Sequence, residues 1–174
     1  MSTNLIDNVS NNISLYYRGE VTINFVRNGK IFKKISKHNN GTAELFKVIT
    51  NALAGNWSAS TCPQYIQLFN KENGVYTKLL QSPQRKQSSS VKTVNTVDSK
   101  SSTLYLEFLI PRTAVSTVGV VNHVRLYSGI DNTSTFLASI DLIGDDNTID
   151  LADNTNANLL ITWTLTIGNA SLWG

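Results

Sequence analysis

The chain has 174 residues and a formal net charge of +3, with 41% hydrophobic and only 16% charged residues; the length fits one domain and the charged fraction is well below the usual quarter. Neutral polar residues fill the difference: 20 Asn, 18 Ser and 18 Thr. That composition excludes coiled coils and long-helix bundles and suits strands and turns, because Thr is β-branched while Asn and Ser make local turn bonds.

Two further classes are set aside. No apolar run approaches the ~18 residues that span a bilayer, and the opening MSTNLIDNVSNN has neither a basic nor an apolar signal region. The expectation is a chain made and folded in a cytosol, with no membrane partner. A single cysteine, Cys62, allows no internal disulfide, and two isolated histidines do not make a zinc site.

In chain order, residues 1–12 read as an N-terminal arm and Ile13–Arg18 as a first strand. Residues 20–27 alternate Val21, Ile23 and Phe25 against Thr22 and Asn24, then Asn28-Gly29 leads into Lys30–Ser36. Asn-Gly between two such runs is the signal of a type I′ hairpin. Thr42 can cap a helix near 43–54, in which Leu45, Phe46, Ile49, Ala52 and Leu53 share a face and Gly55 is the stop. Residues 64–69 and 75–80 read as strands around a loop at Asn70–Gly74, and 81–90 as an exposed polar loop. Residues 91–97, 103–110, 119–127, 135–143 and 158–167 complete about ten strands. In the last, Leu159, Ile161, Trp163, Leu165 and Ile167 oppose Leu160, Thr162, Thr164 and Thr166. The fold expected is mainly β: a single antiparallel β-sandwich of jelly-roll type with one short helix, over residues 1–174.

Chemistry-bearing residues are sparse. His123 shares a strand face with Val121 and Arg125 and would act as a general base only beside a carboxylate or nucleophile. Asp141 on a possible neighbouring strand and the lone Glu107 are the candidates. A structural histidine is the plainer reading, His38 reads as a turn residue, and Cys62, ahead of Pro63, lacks a helix N-terminus to activate it. Asp145, Asp146 and Asp150 place oxygen ligands at short spacing, a calcium alternative without EF-hand spacing or its terminal Glu; a solvated loop competes with it. No phosphate loop, nucleophile elbow or zinc-protease motif occurs, so no cofactor and no enzymatic activity are expected.

Charge divides along the chain. Residues 1–100 hold 13 Lys and Arg against 5 Asp and Glu, and residues 101–174 hold 2 against 7, so +8 is followed by −5. This reads either as two faces of one soluble domain or as complementary surfaces for association. Basic residues are scattered singly with no aromatic-plus-basic module, which argues against nucleic acid.

Three segments then stand out together: Leu45-Phe-Lys-Val-Ile-Thr-Asn-Ala-Leu-Ala-Gly-Asn56 with Pro63-Gln-Tyr-Ile66, Val121-Asn-His-Val-Arg-Leu-Tyr-Ser-Gly129 with Leu137-Ala-Ser-Ile-Asp-Leu142, and Leu159-Leu-Ile-Thr-Trp-Thr-Leu-Thr-Ile167. In this order the chain resembles small β-rich structural proteins of tailed bacteriophages, components of head, neck or tail. The resemblance covers most of residues 41–167 and implies a virion protein, assembled in the host cytoplasm, that forms homo-oligomers and docks on other virion proteins. Candidate contact residues are Arg85 and Lys86 on the polar loop, Thr162, Thr164 and Thr166 on the last strand, and Trp173 near the end. The alternative is a carbohydrate- or receptor-binding module of a fibre or tail tip, with Tyr16, Tyr17 or Trp57 as an exposed aromatic platform.

Overall fold

The computed structural model describes residues 15–56, 58, 62–81, 85–96, 101–116, 119–131, 134–142, 148–152 and 156–169. Strands β1 (Leu15–Arg27) and β2 (Lys30–Gly41) form the expected hairpin. Asn28 and Gly29 sit at φ 51° and 74°, the left-handed pair that a type I′ turn requires. Of the separate strand expected at 13–18, residues 15–18 are part of β1, because Arg18 and Gly19 continue the ladder opposite Thr166 and Leu165, and residues 13 and 14 lie outside the described residues. β2 likewise runs past Ser36, so His38 lies in a strand opposite Glu20 and not in a turn.

Helix α1 (Ala43–Leu53) follows at once. The Thr42 hydroxyl accepts the Leu45 N–H at 3.3 Å and donates to the Leu137 carbonyl at 2.6 Å. One residue thus caps the helix and ties its start to a strand. At the other end Gly55 takes φ 77° and the Asn56 N–H reaches the Asn51 carbonyl at 2.8 Å, a Schellman closure.

β3 (Tyr65–Glu72) and β4 (Val75–Lys78) meet at a two-residue turn, Asn73-Gly74, with φ 49° and 81°. The loop is shorter than expected because Asn70, Lys71 and Glu72 stay in the ladder opposite Thr77, Tyr76 and Val75. The polar stretch 81–90 is not simply an exposed loop: β5 (Lys86–Gln87) pairs with Ile66 and Tyr65. β6 (Ser90–Thr96) and β7 (Ser101–Ile110) form the next hairpin, and a 3₁₀ turn at Arg112–Ala114 follows Pro111.

The strand expected at 119–127 is divided into β8 (Val120–Val121) and β9 (His123–Tyr127). Between them the Asn122 side chain bonds the Lys71 N–H at 2.6 Å and the Lys71 carbonyl at 3.0 Å. β10 (Phe136–Asp141), the short β11 (Ile149–Asp150) beside β8, and β12 (Asn158–Asn169) complete the twelve strands described.

All pairings are antiparallel, and ten strands lie on one connected sheet: β4-β3-β9-β10-β2-β1-β12-β7-β6 with β5 beside β3. β2 joins its two parts, pairing with β1 over most of its length and with β10 through Asn40 and Gly41. A Cβ on Gly41 would stand 3.0 Å from Leu45 Cδ2 and 3.1 Å from Tyr17 Cε1, so a larger residue at the crossing would require these side chains to give way. β4 and β6 do not pair with one another, so the sheet does not close into a barrel.

Alternation fixes the core. Phe25 of β1, Phe108 of β7 and Trp163 of β12 share one cluster with Ile66 of β3, Leu126 of β9 and Leu137 of β10. Each such fully buried side chain contributes about 1.5–3 kcal/mol. The strand order also interleaves the basic and acidic halves of the chain: β1 lies against β12, and β6 against β7. The +8 and −5 halves therefore do not form two separate blocks, because strands from residues 1–100 and from residues 101–174 alternate in groups along the sheet.

Candidate functional site

The outer face of β2-β1-β12-β7-β6 is polar and uncovered among the described residues. Register assembles it in rows. His38, Glu20, Thr164, Tyr105 and Lys92 stand side by side across the five strands. Ser36, Thr22, Thr162, Glu107 and Ser90 form the next row, and Arg18, Thr166, Thr103 and Val94 another. The three threonines expected as contact residues are thus brought together, as period-two alternation requires of one strand face.

Hydroxyl pairs hold this face in place. Thr22 and Ser36 meet at 2.9 Å and Thr103 and Thr166 at 2.9 Å, while Thr164 donates to the Glu20 carbonyl at 3.3 Å. Arg18 Nη2 donates to His38 Nε2 at 3.1 Å. The face is concave. A depression of about 480 Å³ is lined by Arg18, Glu20, Thr22, Thr103, Tyr105, Thr162, Thr164 and Thr166. A second, of about 350 Å³, is lined by Ser90, Lys92, Val94, Tyr105 and Glu107. Tyr105 belongs to both; sequence reading passed over it, although it shares a strand face with Glu107.

On the opposite part of the sheet, His123 and Asp141 do converge, in register on β9 and β10. His123 Nδ1 lies 2.6 Å from Asp141 Oδ1, and Arg125 Nε donates to His123 Nε2 at 2.9 Å. Arg125 has no acceptor, so Nε2 must accept and Nδ1–H must donate to the carboxylate: the ring is neutral. Lys71 Nζ closes the group at 3.0 Å from Asp141 Oδ1. Burial is the main force pushing the His123 pKa below its ordinary value, with the Arg125 and Lys71 cations adding to it against the Asp141 carboxylate. Burial pushes Asp141 up, but its bonds from His123 and Lys71 outweigh this and hold it low. With both ring nitrogens engaged, His123 is not placed to take a substrate proton. Glu107 lies on β7, in the other part of the sheet.

Arg85, expected on an exposed surface, is buried at 5% exposure. Its guanidinium lies 3.6 Å over the Tyr127 ring and donates to the Gly129 carbonyl at 2.7 Å and to the Asp131 carbonyl. It is a latch between chain segments, and burial lowers its pKa. Lys86 is half-buried in β5.

Of the three aromatic residues expected as a platform, the structure places the side chain of Tyr17 alone. Tyr17 is on the core side, half-buried, edge-on to Phe46 at 5.5 Å. Tyr16 occupies a β1 position opposite Gly168. Trp57, Trp173, Asp145 and Asp146, like the arm at 1–12, lie outside the described residues. Asp150 Oδ1 accepts the Ala152 N–H at 2.8 Å, a local turn bond, and no group of three or more metal-binding side chains occurs among the described residues. Cys62 Sγ donates to the Ser58 carbonyl at 3.6 Å, and burial raises its pKa.

No protein-family model matches the chain, and neither a curated protein nor a solved structure does.

Proposed function

We propose that this chain is a non-enzymatic structural subunit of a tailed-phage particle, a β-sandwich of jelly-roll type that self-associates and docks on other head, neck or tail proteins in the virion. One observation carries the self-association: β6 is an open edge. It ends the strand order, runs for seven residues, Ser-Val-Lys-Thr-Val-Asn-Thr, and pairs only with β7 among the described strands. It contains no proline and a single lysine, and Val91 is 58% exposed. An edge of this length and composition is a template for pairing with another chain, and a second β6 about a two-fold axis satisfies both edges at once. The other edge, β4, is only four residues long and ends in Lys78, features that blunt pairing.

Size-exclusion chromatography with light scattering tests this, together with imaging of purified phage particles. The expected result is an oligomer in solution and the protein present in particles, with Val91→Lys shifting the mass to the monomer. A strictly monomeric protein absent from particles would overturn the reading.

A further inference from the structure

We propose that the concave outer face around Tyr105 is a binding cleft for a neutral glycan. The two depressions, of about 480 and 350 Å³, lie side by side on one sheet face with Tyr105 between them. They meet at Tyr105 and together span β1, β12, β7 and β6, an extended surface of the kind a chain-like ligand can follow.

The chemistry of the lining selects the ligand class. Its charged residues are Arg18 and Lys92 against Glu20 and Glu107, two of each sign. A phosphate backbone or other polyanion needs a net positive surface, and this trough has none. An apolar peptide or lipid needs apolar walls, whereas Val94 is the one aliphatic side chain in the lining. What remains suits a polyhydroxylated chain: one aromatic ring for the C–H face of a sugar, five threonine hydroxyls, and two acids and two bases that can each bond a sugar hydroxyl.

The hydroxyls are already oriented. In a pair such as Thr103–Thr166 one hydroxyl donates and the other accepts, which leaves acceptor lone pairs and one donor for a ligand. The side chains stand on regular strands, so little ordering cost falls on binding. This cleft is separate from the edge contact proposed above, since Val91 is opposite Leu106 in register and faces away from Lys92 and Val94.

A glycan array carrying neutral, sialylated and sulfated glycans, followed by calorimetry with the strongest neutral glycan, tests the assignment. Neutral glycans are expected to be retained. Tyr105→Ala should weaken calorimetric binding by about tenfold or more, and Tyr105→Phe, which keeps the ring, should retain most of it. Circular dichroism and the melting temperature verify that both variants fold. Val91→Lys should bind as the parent does. Retention of acidic glycans only, no retention at all, or equal binding by Tyr105→Ala would overturn the proposal. So would a change of Tyr105→Ala from oligomer to monomer without glycan, since the face would then be a contact between copies.

Discussion

His123 is held at both ring nitrogens, and that makes it a determinant of acid stability. Protonating Nε2 would set an N–H against the Arg125 donor, so the folded state resists a proton that the unfolded chain accepts near pH 6.5. Because the unfolded state binds more protons in this window, stability is complete above about pH 6.5 and falls as the pH drops. Asp141, also held low, adds its loss further down, below its ordinary value of 3.8. Urea midpoints should therefore decrease between pH 7 and pH 5, and His123→Asn should remove that decrease; a parent protein with flat midpoints across the window would contradict this. Among the described residues Trp163 is the largest fully buried side chain, and its Nε1–H has no hydrogen-bond partner there. Trp163→Ala should cost about 3–5 kcal/mol. Trp163→Phe should cost less, since it keeps most ring contacts and removes an unsatisfied donor; equal losses in chemical denaturation would refute the distinction. Arg85→Lys should lose about 1–3 kcal/mol, because an ammonium cannot stack flat on Tyr127 as the planar guanidinium does. Unchanged stability would show that the latch does not hold. Trp163 could be assigned to the core from alternation alone. The burial of Arg85 could not, because its partners, Tyr127, Gly129 and Asp131, lie more than 40 residues along the chain and reach it only through the pairing of β3 with β9.

Elements whose cause is local were legible. Asn28-Gly29 sets the first hairpin, Thr42 and Gly55 bound the helix, and the apolar faces of β1, β7 and β12 follow from period-two patterning. Elements whose cause is a distant partner were not. β5 exists because residues 65 and 66 offer an open ladder, and β9 is separated from β8 by an Asn122 side chain that bonds Lys71. The turns also give a clean test of local control. Gly29 and Gly74 hold φ 74° and 81°, and a Cβ at either would meet nothing within 4 Å. Any loss in Gly29→Ala or Gly74→Ala is therefore backbone strain alone, about 1–2 kcal/mol each. Denaturation curves of the two variants should agree within that range, and a much larger loss in one would mean that its turn does more than reverse the chain.

For the whole molecule, strand order governs what sequence could announce. The threonine stripe was visible in β12, but its meaning required β1 and β7 to lie on either side, which places Tyr105 next to Thr164 and balances Glu20 and Glu107 with Arg18 and Lys92. The same order dissolves the division of charge along the chain into local neutrality. Salt should accordingly have little effect on the proposed self-association through β6, because backbone pairing is not screened as ion pairs are. Light-scattering masses at about 0.05 and 0.5 M salt should agree; dissociation at the higher concentration would point to an ionic interface instead.

The unequal edges of the sheet bear on growth as well as contact. A subunit with two good edges adds copies without limit and makes a fibre. With one long edge and one blunt edge, the proposed pairing would consume the growing end on both partners, and the assembly would stop at a pair. Pairing edge to edge about a two-fold axis also turns both concave faces to the same side, so their troughs would run together. The building block delivered to a larger particle would then be a two-headed unit, engaging a repetitive surface at two points while remaining unable to polymerise by itself.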